Sequence, residues 1–531
     1  MSSPKDQTEH VVEYPSYCCL SYGRLIKYPP HYVPYPPPGT TFGLSGLSSQ
    51  AQFRSRIRVK RSLVKMVTPY NGTTDHADYG YSTGVHDLNI FYDTGHLTFL
   101  AISAVLVLLM IPGVGFFYSG LARRKSALTL ILLSMVSVGV ISFQWFFWGY
   151  SLTFSRTGNS FLGDLTQFGL MDTLAQPNGS SALPDILFCL YQGMFAAITP
   201  ALAIGAVADR GRILPAMVFM FLWSTIVYDP IAYWTWNANG WLFNLPSYDF
   251  AGGGPVHVSS GTCALAYSLM LGKRTGYSNN NGLPYRPHNV THVVLGTVFL
   301  WVGWFGFNGG SALAMNIRAV MACYVTNLAA SCGAIAWILL DYRLEKKWST
   351  IGFCSGAISG LVAITPAAGF VKPWAAVIIG VCGGIFCNFA TKVKFLINVD
   401  DSLDIFAIHG IGGMVGNILT GIFGTKTIAS LDGAEYDPIG WVDGHFVQLG
   451  YQIAGTLAVF AWSFTLTCIL LFLLNLIPGL SLRVSPEEEE LGTDDGQLGE
   501  FAYDYVEMTR HMADSTHPHS DASARTSQEK V

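Results

Sequence analysis

The chain has 531 residues, of which 50% are hydrophobic and only 12% are charged. A soluble domain carries about 25% charged residues, so this composition excludes an ordinary water-soluble enzyme. A total of 30 Lys and Arg against 34 Asp and Glu gives a net charge of −4, which excludes a basic surface for nucleic acid. Between residues 97 and 480 the charges lie mostly at the ends of apolar runs of about 20 residues, long enough to cross a bilayer. The sequence therefore predicts a multi-pass membrane protein that contacts lipid.

The first 65 residues differ in composition from the rest of the chain. They are rich in Tyr and Pro, end in a basic run at 54–61, and contain no apolar segment typical of a signal peptide. We expect 1–65 to be disordered, or to be an extension of the gene model before a start at Met66. The predicted organisation continues with an extracellular segment at 66–96, a membrane domain at 97–479 and a cytoplasmic regulatory tail at 480–531.

Eleven apolar runs predict an all-α protein with eleven transmembrane helices. The last run is the longest. In chain order the predicted spans are 97–119, 127–150, 186–208, 213–234, 250–271, 292–311, 320–341, 350–366, 373–391, 404–423 and 449–478.

Lys and Arg are distributed unevenly between the loops that join these spans. The rich set of alternate loops holds Arg123, Arg124, Lys125, Arg210, Arg212, Lys273, Arg274, Arg286, Arg343, Lys346, Lys347, Lys392 and Lys394, and the poor set holds only Arg156, Arg318, Lys372 and Lys426. Because positive loops stay in the cytoplasm, the N-terminus is predicted outside and the C-terminus inside. The Asn-x-Ser/Thr sequences at Asn71 and Asn178 then face outward, which makes both asparagines candidates for glycosylation.

A short internal repeat suggests how the helices are related. The tetrapeptide Ala-Ile-Thr-Pro at 197–200 in the third span recurs at 363–366 in the eighth. A five-span offset inverts the second copy, so the pattern predicts inverted five-helix repeats followed by a final long helix. Chance similarity between helices rich in small residues is the alternative. Inverted repeats would place a substrate route between the two halves.

Two histidines lie well inside predicted spans rather than at their ends. An ionised side chain at the helix centre costs at least ~2.5 kcal/mol. His257 in the fifth span and His409 in the tenth occupy corresponding positions if the halves are inverted copies. A lone buried histidine is usually structural, but two at corresponding places favour a functional pair. No His-Glu-x-x-His pattern accompanies them, so we predict neither a metal nor a cofactor. Neutral imidazoles can instead donate and accept hydrogen bonds with a small polar molecule.

Other candidate residues lie near the ends of spans. Asp249 precedes a glycine-rich helix start, where a carboxylate caps amides more often than it binds a ligand. Trp236 and the aromatic run at 303–307 are typical of lipid-interface anchors. Beside Ser311, the same rings could hold a small cation at roughly 0.5–2 kcal/mol for each ring face.

Three segments carry a specific resemblance. Phe-Ala-Gly-Gly-Gly-Pro-Val-His at 250–257, Gly-Trp-Phe-Gly-Phe-Asn-Gly-Gly-Ser at 303–311 and Asp-Asp-Ser-Leu-Asp-Ile-Phe-Ala-Ile-His-Gly-Ile-Gly-Gly at 400–413 resemble the ammonium transporter/methylammonium permease/Rhesus family. The resemblance covers about residues 90–480. The acidic segment 487–500 is similar to fungal permeases, and histidine at 257 is similar to their high-affinity, nutrient-sensing subtype.

The resemblance implies a plasma-membrane transporter of ammonium and methylammonium that assembles as a homotrimer with one pore per subunit. It assigns Phe195, Trp236 and Ser311 to an external recruiting site with Asp249 beneath it. Phe195 and Phe307 would form the pore gate. His257 and His409 would line the path. A bare cation meets a high desolvation barrier in such a pore, so we expect capture of NH4+, deprotonation and passage of NH3.

Two other classes of function are considered. In the first, the chain is an ammonium sensor whose tail signals nitrogen availability, with Ser and Thr residues open to control by a cytoplasmic kinase or another regulatory protein. The second is a membrane-embedded enzyme that uses the two histidines. The sequence offers no nucleophile or metal set for it, so no catalytic residue is predicted.

Overall fold

A computed structural model describes residues 88–277 and 286–503. Within these ranges the regular structure is entirely helical, with three isolated β-bridges and no β-strand. The prediction of an all-α protein is therefore confirmed for this part of the chain. The segment 1–65, Asn71 and the tail beyond residue 503 lie outside the described residues.

The first group of helices comprises five longer helices, which are extended or joined by short helical segments. The longer helices here are α1 (Thr94–Leu121), α2 (Ala127–Gln144), α3 (Asp185–Ala203), α4 (Ile213–Trp223) and α5 (Ser259–Leu271). Short helical segments extend or join them at Leu88–Phe91, Arg124–Ser126, Trp145–Gly149, Tyr150–Phe154, Phe168–Leu170, Ile204–Val207, Ser224–Tyr228, Asp229–Trp236, Trp241–Asn244 and Gly253–Val258.

The second group of helices is followed by a long final one and a short tail helix. They are α6 (Val290–Gly310), α7 (Ile317–Glu345), α8 (Thr350–Ile364), α9 (Pro373–Ala390), α10 (Gly412–Phe423), α11 (Gln448–Asn475) and α12 (Pro486–Leu491). The short segments here are Val393–Leu396, Phe406–Ile411, Lys426–Ala429, Ser430–Asp432, Trp441–Asp443 and Asp494–Leu498.

Helical residues occupy every apolar run predicted from the sequence. Counting adjoining turns, nine helices of the described part are long and apolar enough to cross a membrane. Two predicted spans are not among these nine. Helix α8 has only 15 residues, and the predicted span 250–271 begins with the π-helical turn Gly253–Val258 before α5. Both spans contain many Gly, Ala and Ser residues, and a hydropathy pattern carries little information about helix geometry there.

Large apolar side chains are exposed on the outer faces of the bundle. Val105 of α1, Leu339 of α7 and Phe472 of α11 are each at least half exposed. Polar side chains such as Gln144 and Asn308 are instead fully buried. Because a lipid bilayer offers no hydrogen bonds, this inside-out distribution suits a membrane rather than water. Inside the bundle, α1 packs most extensively against α6, and α7 packs against α8 and α9.

A cluster of ion pairs joins three loops of the chain. Arg274, just after α5, contacts Asp209 at 2.9 Å and Asp400 at 2.9 Å, and Arg123 contacts Asp209 at 3.2 Å. Burial alone would raise the pKa of Asp209, but the Arg123 and Arg274 guanidinium groups outweigh it and lower that pKa. Burial likewise opposes ionisation of Asp400, and its bonds to Arg274 lower its pKa. Both carboxyls are therefore held in the charged form.

The beginning of the predicted tail is part of this packed structure. Both oxygens of the Asp494 carboxylate accept from α2: Oδ2 from the Leu128 amide at 3.0 Å, and Oδ1 from the Thr129 amide at 2.8 Å and hydroxyl at 2.7 Å. A carboxylate at this position satisfies amides that the first helical turn leaves without partners. The predicted tail 480–531 is therefore not uniform, because its first residues cap a membrane helix.

Candidate functional site

A partly open cavity of about 500 Å³, which we call the vestibule, lies among the helix ends. Its wall includes four residues singled out from the sequence, namely Phe195, Trp236, Asp249 and Ser311, together with Gln192. The residues come from α3, the helix Asp229–Trp236, the turn before α5 and the end of α6. The fold thus gathers residues more than 100 positions apart around one cavity.

Two phenylalanine rings stack at the inner limit of the vestibule. The Phe195 and Phe307 ring centroids are 4.2 Å apart, with the planes inclined by 32°. The Trp236 ring meets Phe195 edge-on at 6.1 Å. Both phenylalanines are buried. Tyr191 links the helices that carry them, since its hydroxyl donates toward the Gly306 and Phe307 carbonyls at 2.9 and 2.8 Å.

The polar groups of Trp236 and Ser311 are oriented by the backbone. Trp236 Nε1 donates to the Asp249 carbonyl at 3.1 Å, which fixes the ring. The Ser311 hydroxyl donates to the Phe307 carbonyl at 2.9 Å. That bond uses the only hydroxyl hydrogen of Ser311. The Tyr191 hydroxyl, 3.3 Å away, donates toward backbone carbonyls, so the Ser311 oxygen remains able to accept. A ring face and an acceptor oxygen are what a small cation that donates hydrogen bonds requires.

Asp249 caps the glycine-rich turn before α5, as its sequence position predicts. Its Oδ1 accepts from the amides of Gly252 and Gly253 at 2.7 and 2.8 Å, and its Oδ2 accepts from Gly254 at 2.6 Å. Gly252 has φ of +110°, a conformation that a side chain would strain. All three bonds hold the π-helical turn Gly253–Val258, which carries His257. Asp249 therefore supports the site through the backbone.

His257 and His409 lie side by side behind the phenylalanine pair. Their Nδ1 atoms are 3.3 Å apart and their ring centroids 5.4 Å apart. The side chains are almost completely buried, with exposed fractions of 1% and 5%. Each histidine stands in a π-helical turn at the start of a helix, Gly253–Val258 before α5 and Phe406–Ile411 before α10. Single π-turns of this kind occur frequently at functional sites.

An additional aromatic residue contacts the histidine pair. The Trp304 ring stacks on His257 at 5.4 Å with an interplanar angle of 23°, and Phe307 stacks on it at 5.9 Å. Trp304 Nε1 donates to the Thr365 hydroxyl at 2.9 Å, which fixes the ring. No separate role was predicted for Trp304 from the sequence. The available signal was its spacing, three residues before Phe307 on one helix face.

Beyond His409 the space is small and apolar. A cavity of about 10 Å³ there is lined by aliphatic side chains, Phe117 and Tyr118, enough for about one water molecule. The Tyr118 hydroxyl donates to the Leu202 carbonyl at 2.8 Å and is already satisfied. A cavity of this size does not hold a hydrated ion.

A close backbone contact brings the two histidine segments together. A side chain at Gly261 of α5 would place its first carbon 2.1 Å from the Gly410 amide nitrogen. Only glycine permits this approach, and Gly410 directly follows His409. The distance between the imidazoles thus depends on the absence of a side chain at Gly261 of α5.

The remaining predicted sites are placed as follows. The Asn178 side-chain amide donates to the Tyr150 hydroxyl at 3.0 Å and to the Phe154 carbonyl at 3.1 Å, and the residue is half-buried. Its nitrogen is therefore engaged in the fold, and glycosylation there stays a prediction. Asn71 is outside the described residues. Among residues 88–277 and 286–503, no group of three or more His, Cys, Asp or Glu could hold a metal ion.

Comparison with known proteins defines the class to which this helical bundle and site belong. The sequence model described as Ammonium Transporter Family matches residues 98–503. Ammonium transporter 1 of Schizosaccharomyces pombe is 61% identical over 425 residues, covering 80% of this chain and 85% of that protein. Ammonium transporter MEP2 of Saccharomyces cerevisiae is 51% identical over 441 residues, covering 82% and 88%. The chain belongs to the ammonium transporter family.

Solved structures agree with this assignment. The crystal structure of Candida albicans Mep2 has a TM-score of 0.74 at 52% identity, covering 78% of this chain and 92% of that one. The crystal structure of Saccharomyces cerevisiae Mep2 has a TM-score of 0.72 at 51% identity, covering 76% and 93%. The resemblance stated from the sequence is confirmed. The chain is a multi-pass membrane protein of a transport family whose relatives include fungal ammonium transporters.

Proposed function

We propose that this chain recruits NH4+ in the vestibule, removes one proton and passes NH3 between His257 and His409. Methylammonium is the expected analogue substrate. The observation that carries the proposal is the pair of facing imidazoles, 3.3 Å apart at Nδ1, placed against the inner face of Phe307. The vestibule, the stacked phenylalanines and the histidines thus follow one another in the order that capture, gating and conduction require.

The physical reason for deprotonation is the cost of burying a charge. Behind Phe195 and Phe307 the space is narrow and mostly apolar, so a cation would lose its hydration without replacement. In the vestibule, the Trp236 ring and the Ser311 oxygen offset part of that loss only while the substrate is charged. Neutral ammonia can then exchange hydrogen bonds with the two imidazoles. The released proton has a separate route if the ring that donates from Nδ1 takes it up at its free Nε2, passes its Nδ1 hydrogen to the other ring, and that ring releases its own Nε2 hydrogen.

The proposed architecture has eleven membrane spans, nine of the long type plus α8 and the unit Gly253–Leu271. Inverted five-helix repeats followed by α11 are supported by two observations: both histidines stand in π-helical turns that open the fifth and tenth spans, and α1 packs against α6. The distribution of Lys and Arg supports an external N-terminus and a cytoplasmic C-terminus. From the family resemblance we infer a homotrimer in the plasma membrane, with residues 97–479 as the membrane domain and a regulatory tail that a kinase or regulatory protein controls.

Uptake of labelled methylammonium by cells that lack their own permeases tests the proposal. His257→Ala and His409→Ala are expected to abolish most uptake, and Trp236→Leu to reduce apparent affinity. His445→Ala is a matched control, because the ring of this histidine contacts the Ile439 carbonyl and the Tyr451 ring and no residue of the proposed path. Wild-type uptake by all three site variants would contradict the residue assignments, and no uptake by the unaltered chain would contradict the function.

A second function, ammonium sensing, has one specific observation in its favour. A structure described as Sensor Amt Protein has a TM-score of 0.69 at 29% identity, covering 76% of this chain and 98% of that one. In this alternative the tail 480–531 signals nitrogen availability. Deleting residues 510–531 leaves the described tail contacts in place. Unchanged methylammonium uptake with lost growth-form signalling would support a dual role, whereas intact signalling would contradict it.

A further inference from the structure

Gln192, in the wall of the vestibule, is a buried side chain that the proposed recruitment step does not use. Gln192 of α3 lies three residues before Phe195, on the same helix face. It is 8% exposed, and its carbonyl oxygen Oε1 is buried with no hydrogen-bond partner among the described residues. A buried carbonyl without a partner costs roughly 1–3 kcal/mol, so native proteins seldom leave one unexplained.

Three other polar residues in the wall of the vestibule are already bonded within the protein. The Thr235 hydroxyl donates to the Ile231 carbonyl at 2.9 Å, and the Asp249 oxygens accept from backbone amides. Arg318 donates to the Gly369 carbonyl and the Asp432 carboxylate at 2.9 and 2.7 Å. Gln192 differs from these groups because its oxygen remains unsatisfied while lining the same cavity.

Other buried glutamines show what a structural glutamine does in this fold. Gln167 donates to Asp185 at 2.8 Å, and Gln452 donates to the Tyr248 carbonyl at 2.7 Å. Each ties two segments together. The Oε1 atom of Gln167 also lacks a partner among the described residues, but its amide nitrogen is bonded. The Gln192 side chain makes neither kind of bond with the described residues, so a role in binding explains its burial better than a role in folding.

We propose that Gln192 accepts a hydrogen bond from the recruited cation and thereby contributes to substrate affinity, an inference that rests on the proposed transport function. An ammonium ion presents four N–H donors in a tetrahedron. Ser311 supplies one acceptor oxygen, and the Trp236 ring supplies a face. The Gln192 carbonyl supplies a second acceptor on the side of the substrate that faces α3. Gln192 was not predicted from the sequence, because an uncharged glutamine beside a glycine matches no pattern typical of a binding site.

Two substitutions of nearly equal size test the role of Gln192. Gln192→Met removes the acceptor and keeps the volume, whereas Gln192→Glu keeps an acceptor and is the matched control. Labelled methylammonium uptake is measured over a range of concentrations, with surface protein quantified for each variant. A hydrogen bond to a charged group corresponds to about tenfold or more in affinity. We therefore expect Gln192→Met to raise KM about tenfold at near wild-type maximal rate, and Gln192→Glu to keep KM at or below the wild-type value.

The possible outcomes separate this inference from the function on which it rests. A wild-type KM for Gln192→Met overturns the inference, and so does a reduced maximal rate with unchanged KM, which would indicate a structural role. An equal rise of KM in both variants also overturns it, because the effect would not depend on an acceptor. In each of these cases the unaltered chain still transports, and the proposed function stands. If the unaltered chain transports no methylammonium, both proposals fail together.

Discussion

His257 and His409 face each other through like atoms, Nδ1 to Nδ1 at 3.3 Å. A hydrogen bond between two such nitrogens needs one hydrogen, so one ring donates from Nδ1 and the other accepts. The two Nε2 atoms must then differ, because a neutral imidazole carries a single N–H. One ring therefore offers an acceptor to its surroundings at Nε2, and the other offers a donor.

This asymmetry leads to a prediction about tautomers. In protein labelled with ¹⁵N-histidine at neutral pH, one of the two rings should be the Nδ1–H tautomer and the other the Nε2–H tautomer. Spectra of His257→Gln and His409→Gln assign the signals by difference. Two Nε2–H tautomers, or two doubly protonated rings, would be incompatible with the contact.

Gly261 sets the distance between the histidine segments, so its substitution should separate them. Gly261→Ala forces a carbon to within 2.1 Å of the Gly410 amide, and the backbones must move apart. We expect loss of most methylammonium uptake and a lower melting temperature. Gly139→Ala is the matched control, because nothing lies within 4 Å of its added carbon. It should retain uptake and gain up to about 1 kcal/mol of stability from helix propensity. Equal behaviour of the two variants would contradict the role of the close contact.

Removal of the Asp249 side chain should destabilise the turn that carries His257. Asp249→Ala leaves the amides of Gly252, Gly253 and Gly254 without their acceptor. Loss of a helix cap costs about 0.5–2 kcal/mol, and we expect a value at the upper end because the amides are buried. Asp249→Asn retains one acceptor oxygen and should fall between wild type and Ala. Thermal unfolding in detergent measures the order, and a wild-type melting temperature for Asp249→Ala would contradict the cap.

Much of the fold follows from the sequence because hydrophobic runs directly report the lipid environment. The eleven runs and the corresponding positions of His257 and His409 required only spacing and residue type. The stacking of Trp304 on His257 could not be predicted, since it depends on a ring orientation fixed by Thr365 from another helix. The same holds for the contact of Asp494 with α2, which joins residues more than 360 positions apart. Local patterns contain no information about such pairings.

Arg274 should be essential for stability although it lies outside the proposed path. It contacts Asp209 and Asp400, which are both buried. Arg274→Met would remove one positive charge that pairs with two buried carboxylates. Breaking a buried ion pair costs about 3–5 kcal/mol. Arg343→Met serves as the control, because Arg343 is exposed and its replacement should change stability by less than about 0.5 kcal/mol. Similar melting temperatures for both variants would show that the cluster contributes little.

The same cluster predicts a sensitivity to acid. The folded pKa values of Asp209 and Asp400 lie below the usual 3.8. Their contribution to stability is therefore complete above about pH 4 to 5 and is lost as the pH falls through the lowered values. Melting temperature measured from pH 6 to 3 should decline in the lower part of this range. The decline should be smaller in a variant in which Asp209 and Asp400 are both Asn, and an identical decline would exclude these two groups as its cause.

The capping of α2 by Asp494 also changes how truncated forms of this protein must be interpreted. A chain cut at residue 485 would lose the carboxylate that satisfies the first turn of a membrane helix, so poor expression or low uptake would report a damaged scaffold. A cut after residue 503 spares that bond. Only the second kind of truncation can separate the role of the distal tail from what the membrane-embedded part needs in order to assemble.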